Sequence, residues 1–158
     1  MIELLPSVLV LSVMAVIALW VTISRGGVAA DAAPVQSAVR VAATAVAAQA
    51  GHFIEELATG FHERFPAVFG LEPLSLPLFV SFNLLWLGIW ALSAWGLARR
   101  RQVALFPLWF LGIASVANGL AHPLLALNAG GYFPGLATSP PVAAVGALLL
   151  ARLSRVTA

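Results

Sequence analysis

The chain has 158 residues, 61% of them hydrophobic and only 9% charged, with a mean hydropathy of +1.00. A soluble domain carries about 25% charged residues, so a soluble globular enzyme, a disordered chain and a nucleic-acid-binding role are excluded. The net charge is +2, from eight Arg against six acids, and the absence of Cys removes disulfides, thiolate catalysis and Cys-ligated zinc. These bounds predict one transmembrane domain over 1–158: an all-α integral membrane bundle, multi-pass in the cell membrane and surrounded by membrane lipids.

The first apolar run, 4–24, has the roughly 20 residues that a spanning helix needs. It lacks the basic start of a signal peptide and exceeds its usual apolar length, which favours a retained helix. Arg25-Gly26-Gly27 ends it. The second span, 35–60, is Ala-rich in its first half and carries Gln49, His52, Glu55 and Glu56 in its second. Such a helix suits the centre of a bundle, where small side chains let backbones approach. A loop is expected over Phe61 to Leu76. The third and fourth spans are 78–97 and 105–128, and a Gly/Pro loop leads to a short fifth span, 142–153.

Five spans place Arg25, Arg40, Arg99, Arg100, Arg101, Arg152 and Arg155 on one side, with Arg64 alone opposite. The positive-inside rule then puts the N-terminus outside and the C-terminus in the cytoplasm. Trp20 and Trp109 are expected as interfacial anchors, Trp95 as lipid-facing or interfacial, and Glu72 at the surface.

Charged side chains inside a bilayer cost about 2.5–3.5 kcal/mol each on insertion scales, so their positions are informative. Gln49, His52, Glu55 and Glu56 recur at spacings that place them on one helical face. Asn83, Trp86 and Trp90 form a stripe on the third span, and Ser115, Asn118 and His122 form one on the fourth. Pro123 cannot donate to the carbonyl of Gly119, which predicts a bend there. All three stripes climb into the outer half, predicting a polar pocket at or near the outer face.

His52-Phe-Ile-Glu55-Glu56 reads His-x-x-Glu-Glu, Asn118-Gly-Leu-Ala-His122 reads Asn-x-x-x-His, and Tyr132-Phe-Pro134-Gly135 reads Tyr-x-Pro-Gly. With the isolated Asn83, this order of motifs over roughly 48–150 resembles the HXXEE family of small integral membrane proteins. The resemblance implies about five spans and marks which residues matter. It brings no activity with it.

The residues themselves point to a divalent metal ion, zinc or iron. His52, one of Glu55 and Glu56 (Glu56 in the preferred set), and His122 make a two-His, one-carboxylate ligand group. The other Glu is then a base. Asn83, Asn118 and Tyr132 are expected to orient or stabilise substrate, with Tyr132 either in a plain turn or in a lid. The reading is a metal-dependent membrane enzyme, hydrolytic or oxidative, acting on a lipid-like or small apolar substrate. Two alternatives stay open. One is a metal-free acid–base isomerase, with Trp86 and Trp90 facing a cationic intermediate. The other is an accessory or binding subunit of a larger membrane complex or homo-oligomer, its polar residues joining helices. His62, Glu63 and Arg64 are expected in a solvated loop, His62 within reach of the pocket.

Overall fold

The computed structural model describes residues 5–157. Leu4, where the first predicted span begins, lies outside the described residues. The chain folds as α1 (Leu5–Arg25), α2 (Ala32–Ala58), α3 (Phe61–Ala67), α4 (Leu76–Ala98), a single 3-10 turn, α5 (Leu105–Asn128) and α6 (Ser139–Val156). Three helical stretches are long and apolar enough to cross a membrane: Leu5–Arg25, Leu76–Ala98 and Gln102–Asn128.

One difference from the sequence reading is α3, which replaces the first part of the expected loop. Gly60 adopts a left-handed conformation (φ 78°) that turns the chain out of α2, and its carbonyl accepts from the backbone N–H of Glu63 and Arg64. Phe61 and Phe65, one turn apart, then stack at 5.0 Å. α6 begins three residues before the expected start because Pro140 and Pro141 occupy the first turn, where a missing N–H costs nothing. α5 remains helical through Pro123. Trp109 is not an interfacial anchor: it is a core residue, 4% exposed, with the Arg25 guanidinium 5.6 Å from its ring centroid. Trp20 and Trp95 are exposed, the latter beneath Arg99.

α5 is the axis of the bundle, with α1, α4 and α6 packed around it, and α2 packs on α6 and α4. The buried face of α2 is one stripe: Ala38, Ala42, Ala45, Gln49, His52 and Glu56 follow each other at three- and four-residue steps. Small side chains at its start admit close neighbours, and the polar ones come at its end. α5 and α6 approach most closely, because Gly112, Ser115 and Gly119 on α5 face Leu150, Gly146 and Ala143 on α6. This is the small-residue contact by which helices associate where the surroundings are as apolar as the side chains. At the far end, Val28 and Thr157 form an isolated antiparallel bridge, and Arg25 donates to the carbonyl of Ser154 (3.4 Å).

A Cβ at Gly146 would lie 2.5 Å from Ser115 Cβ and 3.0 Å from the Gly112 carbonyl oxygen, neither of which can rotate away. Gly146→Ala is therefore expected to destabilise the fold by about 1–3 kcal/mol. Gly88→Ala, whose new Cβ meets nothing within 4 Å, is expected to hold or raise stability. Thermal unfolding of the two variants in the same detergent checks the contrast.

Candidate metal centre

The polar end of α2 meets the polar end of α5 beneath the segment linking α5 to α6. His52 Nε2 and His122 Nε2 approach to 3.2 Å, and Glu56 Oε1 lies 3.5 Å from each. All three residues are buried, His52 completely. The rings of the two histidines are perpendicular, with centroids 4.7 Å apart.

The linking segment fixes both imidazoles. His122 Nδ1 lies 2.6 Å from the Pro134 carbonyl oxygen, which can only accept, so Nδ1 carries the proton. Thr138 donates its hydroxyl proton to Glu55 Oε2, so the Thr138 Oγ1 is left to accept from the His52 Nδ1–H at 2.7 Å. Both neutral rings are thus Nδ1–H tautomers, and both bare Nε2 lone pairs point into the space beside Glu56. Gly135 (φ 85°) lies against the rings, and a Cβ there would collide with both. Only glycine lets the backbone close over the pair.

Two facing acceptors and a carboxylate need an electropositive occupant. A proton on Glu56 or on one ring supplies one, and a metal ion supplies another. The donor set fits an ion. Zinc–nitrogen bonds of about 2.0–2.1 Å at the tetrahedral angle place ligand atoms ~3.3–3.4 Å apart. The three edges measured here are 3.2, 3.5 and 3.5 Å. His52, Glu56 and His122 can therefore hold a metal ion. The Nδ1–H groups of the two histidines already have the carbonyl and hydroxyl acceptors that orient metal-binding histidines.

Glu55 stands apart from this trio. Its Oε1 accepts from the Tyr132 hydroxyl (2.5 Å) and the Ala137 N–H (2.9 Å). Its Oε2 accepts from the Thr138 N–H (2.8 Å) and hydroxyl. With four donors at the N-terminus of α6, this carboxylate ties the α5–α6 segment to α2. Burial and the Glu55 bond raise the Tyr132 pKa above its ordinary value, which keeps the phenol protonated as a donor. The Tyr132–Gly135 segment is thus a lid over the trio, further held by Arg64, which donates to the Tyr132 carbonyl (3.0 Å) and covers the Phe133 ring.

Asn83 and Asn118 do not touch the trio. They line a cavity of ≈ 380 Å³ onto which Glu56 and His122 open, together with Gln49, Trp86 and Trp90. Ser115 leaves the expected stripe: it faces Gly146, and its buried hydroxyl has no partner. His62 stacks on Phe79 and does not join the site. Three participants escaped the sequence reading: Thr138, the Pro134 carbonyl and the ring-facing role of Gly135. Thr138 was detectable, since Thr-Ser-Pro-Pro is a helix-start pattern.

No family model, no curated protein and no solved structure matches the chain.

Thr138→Val preserves volume and deletes the hydroxyl between Glu55 and His52. The expected outcome is a 10–100-fold loss of affinity for added zinc, typical of an orienting partner, at unchanged helicity. Titration against a competing chelator, with circular dichroism in parallel, reads both quantities.

Proposed function

We propose that the protein is a metal-dependent integral membrane enzyme, hydrolytic or oxidative, acting on a lipid-like or small apolar substrate. One observation carries this reading: a buried two-histidine, one-carboxylate group opens through Glu56 and His122 onto a cavity that is otherwise mainly apolar. A merely structural polar cluster has no need of such a chamber, and an apolar substrate does.

In this reading His52, Glu56 and His122 hold a divalent zinc or iron ion. The ion supplies Lewis acidity, polarising a substrate oxygen or lowering the pKa of water. The chain's own groups do the rest. The tautomers fixed by Pro134 and Thr138 keep both Nε2 atoms available. Glu55 positions His52 through Thr138, and its saturated carboxylate makes it a positioning residue and not a free base. Asn83 and Asn118 offer amides to the polar part of a substrate, and the lid excludes water above the trio. The convergence of His52, Glu55, Glu56, His122 and Tyr132–Gly135 supports membership of the HXXEE family, whose resemblance rests on those motifs.

The membrane arrangement in this proposal adds α2 and α6 to the three apolar spans. α2, with 27 residues, is about 40 Å long, and α6, with 18, about 27 Å. The arginine-rich end is then cytoplasmic, as is the C-terminus, and the trio lies in the outer half. A reporter fused to the C-terminus is expected to read cytoplasmic, and an external reading overturns the orientation.

The metal proposal predicts one divalent ion per chain in protein purified without chelator. His52→Ala and His122→Ala are each expected to lose it, while Asn83→Ala retains it. Elemental analysis of the purified variants decides this. A metal-free wild type with an intact fold would instead support proton transfer between Glu56 and the facing Nε2 atoms. Stoichiometric retention in a larger complex, again without metal, would support an accessory subunit.

A further inference from the structure

The opposite end of the bundle carries a second recess, independent of the metal centre. Between the first turns of α2 and the end of α4 lies a groove of ≈ 370 Å³. Its polar side chains are the exposed Gln36, Arg40 and Arg100, and its apolar ones include Val35, Val39 and Ala98. Among the described residues, neither arginine lies within 4.0 Å of a carboxylate. Asp31, the N-cap of α2, is the nearest acid in sequence and does not line the groove.

The backbone at Arg100 is unusual. Arg100 N–H donates to the Leu97 carbonyl (2.8 Å) and Arg101 N–H to the Gly96 carbonyl (2.9 Å), closing α4 in the pattern that normally uses glycine. Arg100 adopts the left-handed conformation this requires, at φ 57°. Among the described residues it is the only non-glycine with positive φ, while Gly26, Gly60, Gly70, Gly130 and Gly135 take that region elsewhere. An L-residue there is strained. The strained position delivers a guanidinium to the groove, and a glycine would deliver none.

We propose that this groove binds the phosphate head group of an anionic phospholipid. Arg40 and Arg100 pair with the phosphate oxygens, Gln36 donates to an ester or glycerol oxygen, and the apolar side chains receive the start of the acyl chains. Lipid is favoured over free phosphate because four of the seven residues lining the groove, Ala32, Val35, Val39 and Ala98, are apolar. Its place at the arginine-rich end of the bundle is also where head groups would lie, near the exposed Trp95. Arg99 serves as an internal contrast: its guanidinium lies 3.9 Å over the Trp95 ring and outside the groove.

The test uses the full chain in detergent, equilibrated with equal phosphatidylglycerol and phosphatidylcholine, with bound lipid read by native mass spectrometry. Wild type is expected to enrich phosphatidylglycerol. Arg40→Gln and Arg100→Gly are each expected to cut that enrichment by about fivefold, the usual effect of one basic residue at an anionic surface. Arg99→Gln, with the same change in charge, is expected to leave it unaltered. Arg100→Gly should melt at or above the wild-type temperature, because glycine relieves the strain, so its lost binding cannot be unfolding. Unchanged enrichment in both groove variants overturns the proposal, as does an equal loss in Arg99→Gln. Complete displacement of the lipid by millimolar inorganic phosphate overturns the lipid assignment in favour of a simple anion site.

Discussion

Two imidazoles that both hold their proton on Nδ1 must show each other bare Nε2 lone pairs. This constraint organises the site beneath the α5–α6 segment. The acceptors responsible, the Pro134 carbonyl and the Thr138 hydroxyl, sit in one short segment between α5 and α6. Glu56 adds a carboxylate oxygen 3.5 Å from both lone pairs. Three acceptors directed at one buried point repel one another unless a proton or a cation lies between them. The low dielectric of a helical bundle sharpens that repulsion. The site therefore makes physical sense only with an electropositive partner, and its edges have the dimensions of a tetrahedral face.

The rest of the fold keeps that geometry from relaxing. If the α5–α6 segment lifted, both histidines would lose their orienting acceptors together. It is fastened by the four hydrogen bonds of Glu55 and by Arg64 on the Tyr132 carbonyl. Behind it, glycines bring α5 and α6 to a separation that any larger side chain would widen. α2 enters the same interface on a stripe of alanines before presenting His52 and Glu56. Close helix packing and polar placement are thus one arrangement: small residues set the helix positions, and the C-terminal parts of α2 and α5 carry the residues that could hold an ion.

Much of this was legible in the sequence. Hydropathy marks the long apolar helices, and three- and four-residue spacing puts Gln49, His52 and Glu56 on one face. The meeting of His52 with His122, and the nearness of Tyr132, follow from polar residues seeking company in an apolar chain. Tertiary detail was not legible. The adjacent Glu55 and Glu56 look interchangeable, yet the 100° step between them sends one to the lid and the other to the histidines. Trp109 reads as an anchor because tryptophan favours interfaces, but Arg25 and the α1–α5 contact enclose it. α3 was hidden by Pro66 and the flanking glycines, which suggest a loop until aromatic stacking on Phe79 is seen.

α1 carries none of the motifs, and its place in the structure gives it a purpose. Only Ala18 of its described residues is fully buried, and its outward side chains, such as Leu9, Val13 and Ile23, are those of a lipid-facing helix. It packs on α5 while α4 packs on α2 and α5, and the apolar cavity lies between α1 and α4. Val10, Leu11 and Met14 of α1 close that cavity on the side facing Phe82, Trp86 and Trp90 of α4. From above, the lid and α3 cover the trio. On the proposed function, an apolar substrate coming from the bilayer would meet Glu56 and His122 most directly by passing between α1 and α4, on the side where α1 fully buries only Ala18. The α5–α6 pair, packed glycine against side chain, closes the opposite side.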